Sequence, residues 1–281
     1  MIIVKIMGGL GNQLFQYALV EKLKSMGKNV KVDLSYFEDT PVGDTVRDSI
    51  YDKLVYKPEV ATTDEIENLR TYSFLGRVYT KLTGISKDYF ESDSLFKPEI
   101  LKRKTGYLVG YWQSEKYFQD LRESILEDFD FRRSVEKKIN EGQEGQVESV
   151  SIHIRGGDYL TKASSTFGGI CTKEYYRKAM EYIRKNVEYP KFYIFTNDKK
   201  YAEIIMDGIE AEYQYVDWND ESHAYADLLL MSKCKHHILA NSSFSWWGEY
   251  LSDQTGITIA PSKWTNDSRN KDIYRDNWVE L

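Results

Sequence analysis

Short apolar runs, each followed by an amphipathic stretch, recur along this chain. Ile2, Ile3, Val4 and Ile6 make the first run, which Gly8 and Gly9 break. Leu14, Ala18 and positions 20–23 then fall near helical spacing, and Gly27 is placed to end the helix. Val30, Val32 and Leu34 alternate as a strand does, so the opening predicts a β-α-β unit. Further on, Thr63 with Ile66 and Leu69 predicts a short capped helix. An apolar run at 107–112 leads into "QSEKYF" and the helical "LRESILEDF".

The polar, Gly- and Glu-rich stretch "KKINEGQEGQVES" has the composition of an exposed linker and predicts a boundary between domains 1–145 and 146–281. Beyond it the alternation resumes. Strand "VESVSIHIR" precedes a helix from about Lys173, then strand "KFYIF" and a helix from Lys199. Strand "YQYVD", a helix through "YADLLLMSKC", strand "HHILA" and a helix near "FSWWGEYL" complete the pattern. Strands alternating with helices predict an α/β protein with a parallel, helix-covered sheet in each half.

Composition narrows the class. The chain has 281 residues, 41% of them apolar, enough for two cored domains. No apolar stretch reaches the roughly 20 residues of a membrane span, and the first run is too short for a signal peptide. The expectation is a cytoplasmic protein with at most peripheral membrane association. A net charge of −6 disfavours nucleic acid as a partner, yet leaves room for one anionic ligand held by local cations and backbone N–H groups. Cys171 and Cys234 give neither a disulfide framework nor a metal spacing, and Cys234 reads as core. His236 and His237 are adjacent and would face opposite ways on a strand, so no metal site is expected.

Three loops at strand ends carry candidate chemistry. In "GGLGNQ", Gly9 and Gly11 fit part of a dinucleotide fingerprint, and Asp33 stands where a ribose-binding acid would. Leu14, however, fills the third position, where a small residue is needed. A plain strand–helix turn is the other reading, with the Asn12 and Gln13 amides near a helix N-terminus that favours anions. In "VSIHIRGGDY", His153 and Arg155 face one way on a strand while Ile152 and Ile154 face the other. The strand end then presents an imidazole, a guanidinium, two glycines and Asp158, where open α/β sheets bind ligands. The guanidinium fork suits a diphosphate, and an Arg155–Asp158 structural ion pair is the alternative.

The third loop, "ILANSSFSWW", brings Asn241, Ser242, Ser243 and Ser245 to the start of a helix, which suits phosphate or a simple serine cap. Trp246 and Trp247 belong to the core side. Asp227 lies among Ala226, Leu228, Leu229 and Leu230, and its two oxygens match guanine's N1–H and exocyclic amine; a surface acid is the other reading. "FTND" (195–198) offers a polar group at the same rim or a helix cap. Trp112 is placed to stack on a sugar or to pack in the core.

Taken in order across nearly the whole chain, "GGLGNQLFQYA", "GYWQSEKYF", "HIRGGDY" and "ANSSFSWW" resemble the α-1,2-fucosyltransferases, family eleven of the glycosyltransferases. The resemblance implies a GT-B-like α/β fold, two Rossmann-like domains facing across a cleft. It implies inverting transfer of L-fucose from GDP-β-L-fucose to the 2-hydroxyl of a terminal β-galactoside, with the donor in the C-terminal half, the acceptor in the N-terminal half, and no metal or other cofactor. His153, Arg155 and Asp158 would form a donor motif shared with α-1,6- and protein O-fucosyltransferases, often His-x-Arg-Arg-x-Asp. Gly156 stands here in place of the second arginine. The resemblance sets Asp227 on guanine, Ser242, Ser243 and Phe244 along the diphosphate and ribose, and Gly11 and Asn12 on the pyrophosphate or fucose. Arg155 would neutralise the departing diphosphate, with Asp158 as base or as organiser of that arginine. Two other functions stay open: a NAD-dependent oxidoreductase built on Gly9, Gly11 and Asp33, and an inert nucleotide-sugar or glycan binder.

Overall fold

The opening apolar run forms strand β1 (Ile2–Lys5), and three more strands join it: β2 (Val30–Asp33), β3 (Asp88–Phe90) and β4 (Gly106–Val109). Their order is β2-β1-β4-β3, every pair parallel. The helix Leu10–Ser25 connects β1 to β2 and buries Leu14, Phe15, Ala18, Leu19 and Leu23. It stops at Gly27, whose φ of +74° is left-handed. There the N–H groups of Gly27 and Lys28 return to the carbonyls of Lys24 and Leu23, which relieves two orphan acceptors. The short helix Thr63–Leu69 is capped one residue earlier than its apolar spacing suggested. Thr62 and Glu65 exchange side-chain-to-backbone bonds in a capping box.

Six further strands make the second sheet: β5 (Glu148–Ile154), β6 (Pro190–Thr196), β7 (Tyr213–Tyr215), β8 (His236–Ile238), β9 (Thr258–Ala260) and β10 (Val279–Glu280). The order β10-β9-β8-β5-β6-β7 is again parallel throughout. Val150, Ile152 and Ile154 of β5 pack with Tyr176, Ala179 and Met180 of the helix Lys173–Asn186 and Ile205 of the helix Lys199–Met206. On the other face, Tyr193 and Phe195 meet Leu230, Met231 and Cys234. Helices on both faces explain why β5 is buried almost continuously.

This computed structural model describes residues 1–38, 47–70, 73–83, 86–129, 148–216, 224–267 and 270–281. The chain divides into two units, Met1–Phe131 and Arg132–Leu281. The expected boundary at 145/146 lies outside the described residues. The parallel α/β architecture expected of each half is present. The helix Phe74–Thr83 and strands β3, β9 and β10 add to what periodicity predicted.

The order of strands locates the functional crevices. In the second unit the chain runs from β5 out to β6 and β7 on one side, then returns to β8, β9 and β10 on the other. Such a reversal opens a crevice beyond the carboxyl ends of the two strands that flank it, here β5 and β8. In the first unit the same reversal falls between β1 and β4.

Candidate functional site

At the β5/β8 reversal the structure gathers most of the residues singled out in the second half. His153 leaves β5 toward the helix Ser243–Tyr250, and its Nδ1 lies 2.5 Å from Ser245 Oγ. Ser245 Oγ also accepts the Ala240 N–H at 3.1 Å. A fully buried hydroxyl must place its own proton, so Ser245 donates to Nδ1 and the imidazole keeps its proton on Nε2. Burial, reinforced by the Arg155 charge, pushes the His153 pKa down to about 3, so the ring is neutral near pH 7. The Phe244 ring leans against it, 5.2 Å between centroids.

Arg155 follows the last residue of β5. Its Nη2 donates to Asp158 Oδ1 at 2.6 Å, and its guanidinium stands 5.3 Å from the centre of the Tyr159 ring. Its Nε is buried and has no partner among the described residues. A buried donor without an acceptor is costly, and a ligand oxygen would relieve it. The ion pair anticipated between Arg155 and Asp158 is therefore present, and it leaves part of the guanidinium fork unspent.

Neighbouring groups hold this loop in shape. Asn197 Oδ1 accepts the Gly156 N–H at 3.0 Å, and Asp198 caps the helix Lys199–Met206 by accepting from Tyr201 N–H. "FTND" thus acts as loop clamp and helix cap together. A Cβ on Gly156 would stand 2.7 Å from Asp198 Cβ, so the arginine common at this position in related motifs has no room here. Gly157 adopts φ +62°, which any side chain would strain. Tyr159, which sequence reasoning missed, stacks on Phe167 and donates its hydroxyl to the Asn241 carbonyl. It ties the loop after β5 to the loop after β8.

The serine loop divides into structural and exposed parts. Asn241 donates to the carbonyls of Phe167 and Trp264 and accepts from the Cys171 thiol, so its amide is consumed by the fold. Ser242 is buried and caps the helix by accepting from Phe244 N–H at 3.3 Å. Ser243 and Phe244 remain half-buried at the rim. Trp246 and Trp247 are core residues, as expected. Asp227 lies half-buried in the first turn of the helix Ala224–Lys233, which packs against Ser243–Tyr250.

Gly11 and Asn12 belong to the other unit, at the β1/β4 reversal. Gly11 is buried in the first turn of its helix, and Asn12 accepts from Gln113 Nε2 at 2.8 Å. Gln13 and Gln16, buried on the same helix, are engaged by the fold. Gln13 bonds Gly8 O, Asp48 O and Ile50 N, and Gln16 bonds Met7 N and Gly110 O. Trp112 is wholly buried, which removes it as a sugar platform, and it holds a left-handed φ of 56°. Such strain in a non-glycine residue costs on the order of 1–3 kcal/mol and needs support. Glu91 supplies it by accepting the N–H groups of Tyr111 and Trp112. Burial pushes the Glu91 carboxyl up to about 7.

The NAD alternative fails on this geometry. Asp33 is buried, with one oxygen accepting Tyr107 OH at 2.5 Å and the other accepting Ser35 N–H, so both oxygens are engaged inside the unit and are not presented to a ribose. Leu14 is fully buried where the fingerprint requires a small residue. His236 and His237 also face inward, to Glu148 and Ser151 respectively.

Residues 1–281, the whole chain, match the family described as Glycosyl transferase family 11. The chain belongs to this family. This glycosyltransferase is 31% identical to the O-antigen biosynthesis glycosyltransferase WbnK of Escherichia coli, over 98% of each chain. It is 30% identical to an alpha-1,2-colitosyltransferase of Escherichia coli, over 100% of its own length and 98% of that relative. A galactoside alpha-(1,2)-fucosyltransferase 1 of Leontopithecus chrysomelas is 24% identical over 90% of the chain, which spans 66% of that longer protein.

Proposed function

We propose that this glycosyltransferase moves L-fucose from GDP-β-L-fucose to the 2-hydroxyl of a terminal β-galactoside, with inversion and without a metal. The observation that carries the reading is Arg155. It stands at the β5/β8 crevice, oriented by Asp158, with a buried Nε that lacks an acceptor.

Departure of GDP builds negative charge on the diphosphate. A preorganised guanidinium at the end of β5 and the N-terminus of the helix Ser243–Tyr250 at the end of β8 meet that charge as it develops. In this reading Ser243 and Phe244 border the diphosphate and ribose, Asp227 reads guanine, and His153, neutral and fixed by Ser245, presents its Nε2–H. Asp158 is engaged with Arg155 and acts as its organiser. The first unit takes the acceptor. Kinship with an alpha-1,2-colitosyltransferase and a galactoside alpha-(1,2)-fucosyltransferase supports an α-1,2 linkage.

The test is an acceptor array incubated with GDP-fucose, and in parallel with the corresponding colitose donor, each with and without EDTA. The expected result is an EDTA-resistant α-1,2-fucosylated galactoside by linkage analysis. Transfer only of colitose would overturn the donor, and EDTA-sensitive transfer the metal independence. GDP binding with neither transfer nor donor hydrolysis would return the protein to an inert binder.

A further inference from the structure

The helix Phe74–Thr83 is turned inside out. Phe74, Val78 and Leu82 recur at i, i+4 and i+8, with Leu75 beside them, so they form one apolar stripe. In a surface helix that stripe faces the core. Here Phe74 is 73% and Leu82 80% exposed, and Leu75 and Val78 are also exposed. The inward positions are Gly76, which is buried, and the half-buried Thr80, while the helix Thr63–Leu69 packs alongside. Exposed cations Arg77 and Lys81 border the stripe on one side, and Tyr79 borders it on the other, with Lys87 Nζ 5.3 Å over its ring.

Charge identifies the occupant. The chain carries a net charge of −6, yet positions 68–87 contain Arg70, Arg77, Lys81 and Lys87 and no acid. Arg70 is paired with Asp88 at 3.0 Å. Arg77, Lys81 and Lys87 have no acidic partner among the described residues. An outward apolar stripe flanked by cations and an aromatic phenol is the arrangement by which a helix lies in the plane of a lipid–water interface. No helix among the described residues is long and apolar enough to cross a membrane. We infer that the helix Phe74–Thr83 docks the protein on an anionic phospholipid surface, with Phe74, Val78 and Leu82 in the acyl boundary and Arg77 and Lys81 among the headgroups.

Flotation of the full chain with phosphatidylcholine vesicles, alone or mixed with phosphatidylglycerol, tests this directly and needs no activity. The wild-type chain should float with the anionic vesicles and be released by salt. Arg77→Glu/Lys81→Glu should reduce vesicle partition about tenfold or more, and Phe74→Ser/Leu82→Ser should abolish it at every salt concentration. Unchanged thermal unfolding in both variants shows that their losses are not losses of fold. Failure of the wild-type chain to float with anionic vesicles, or undiminished flotation of either variant, overturns the inference. So does light scattering that shows a wild-type dimer which Phe74→Ser/Leu82→Ser dissociates, since the stripe would then be covered by a second copy.

Discussion

Asp158 Oδ1 sits 2.6 Å from Arg155 Nη2, while the Nε of the same guanidinium is buried with nothing to bond. One end of the arginine is thus anchored by the protein and the other is left for a ligand. Replacing Arg155 by Ala should lower kcat by about a hundredfold or more, the usual loss when a preorganised donor to developing charge is removed. Lys should rescue poorly, because it keeps the charge but loses the fork. Steady-state kinetics with GDP titration checks both variants.

The same pair separates two roles for Asp158. A carboxylate already spent on the guanidinium is an organiser, so Asp158→Asn should lower kcat and weaken GDP binding while the pH–rate profile keeps its acidic limb. Loss of that limb would instead make Asp158 the base.

Buried titrating groups pull stability in opposite directions. His153 and His237 are both pushed down from 6.5 to about 3 by burial. Their contribution is complete above pH 6.5 and is lost as pH falls toward 3. Glu91 and Asp128 are pushed up by burial to about 7 and about 6, so their contribution is complete at low pH and is lost as pH rises through those values. The two sets offset one another between about pH 4.5 and 6; Asp128 alone still opposes the histidines down to its ordinary value of 3.8, and below that they are unopposed. Urea midpoints should therefore be nearly flat in that window and fall steeply at lower pH. Glu91→Gln, which keeps an oxygen for the Tyr111 and Trp112 N–H groups, should raise stability at pH 8 and lose that advantage by about pH 4.5.

Gly156→Ala tests the packing behind Arg155. The added Cβ would meet Asp198 Cβ at 2.7 Å, and the loop must shift to admit it. A loss of about 1–3 kcal/mol in denaturant unfolding is expected, the usual cost of overpacking. A fall in kcat should accompany it, because the displaced backbone carries Arg155.

Much of this was legible in the chain. The strand that carries His153 and ends just before Arg155, Glu148–Ile154, and the helix behind Ser242 followed from alternation and glycine punctuation, because those elements are long or sharply capped. What escaped notice was set by tertiary contact. Strands β3, β9 and β10 have two or three residues each, so little of their own sequence can carry a period. Glu91, Gln113 and Tyr159 act through partners distant in sequence, and a lone polar residue carries no local signal of that. Trp112 and Asp33 looked available for ligands because exposure is a property of packing. The helix Phe74–Thr83 escaped because it is short and Gly76 interrupts it, and periodicity alone would not say that its apolar stripe faces outward.

The pairing of β5 with β8 has a consequence for how the protein is made. Val150 must find its neighbour His236 in a strand that leaves the ribosome 86 residues later, as must Ser151 its bonded partner His237. Throughout that interval the middle strand of the nascent second sheet has one bare, apolar edge, the kind of surface on which unfinished chains adhere to one another. Slower elongation through the segment between them should lower the yield of native protein, and a chaperone that covers exposed strand edges should restore it.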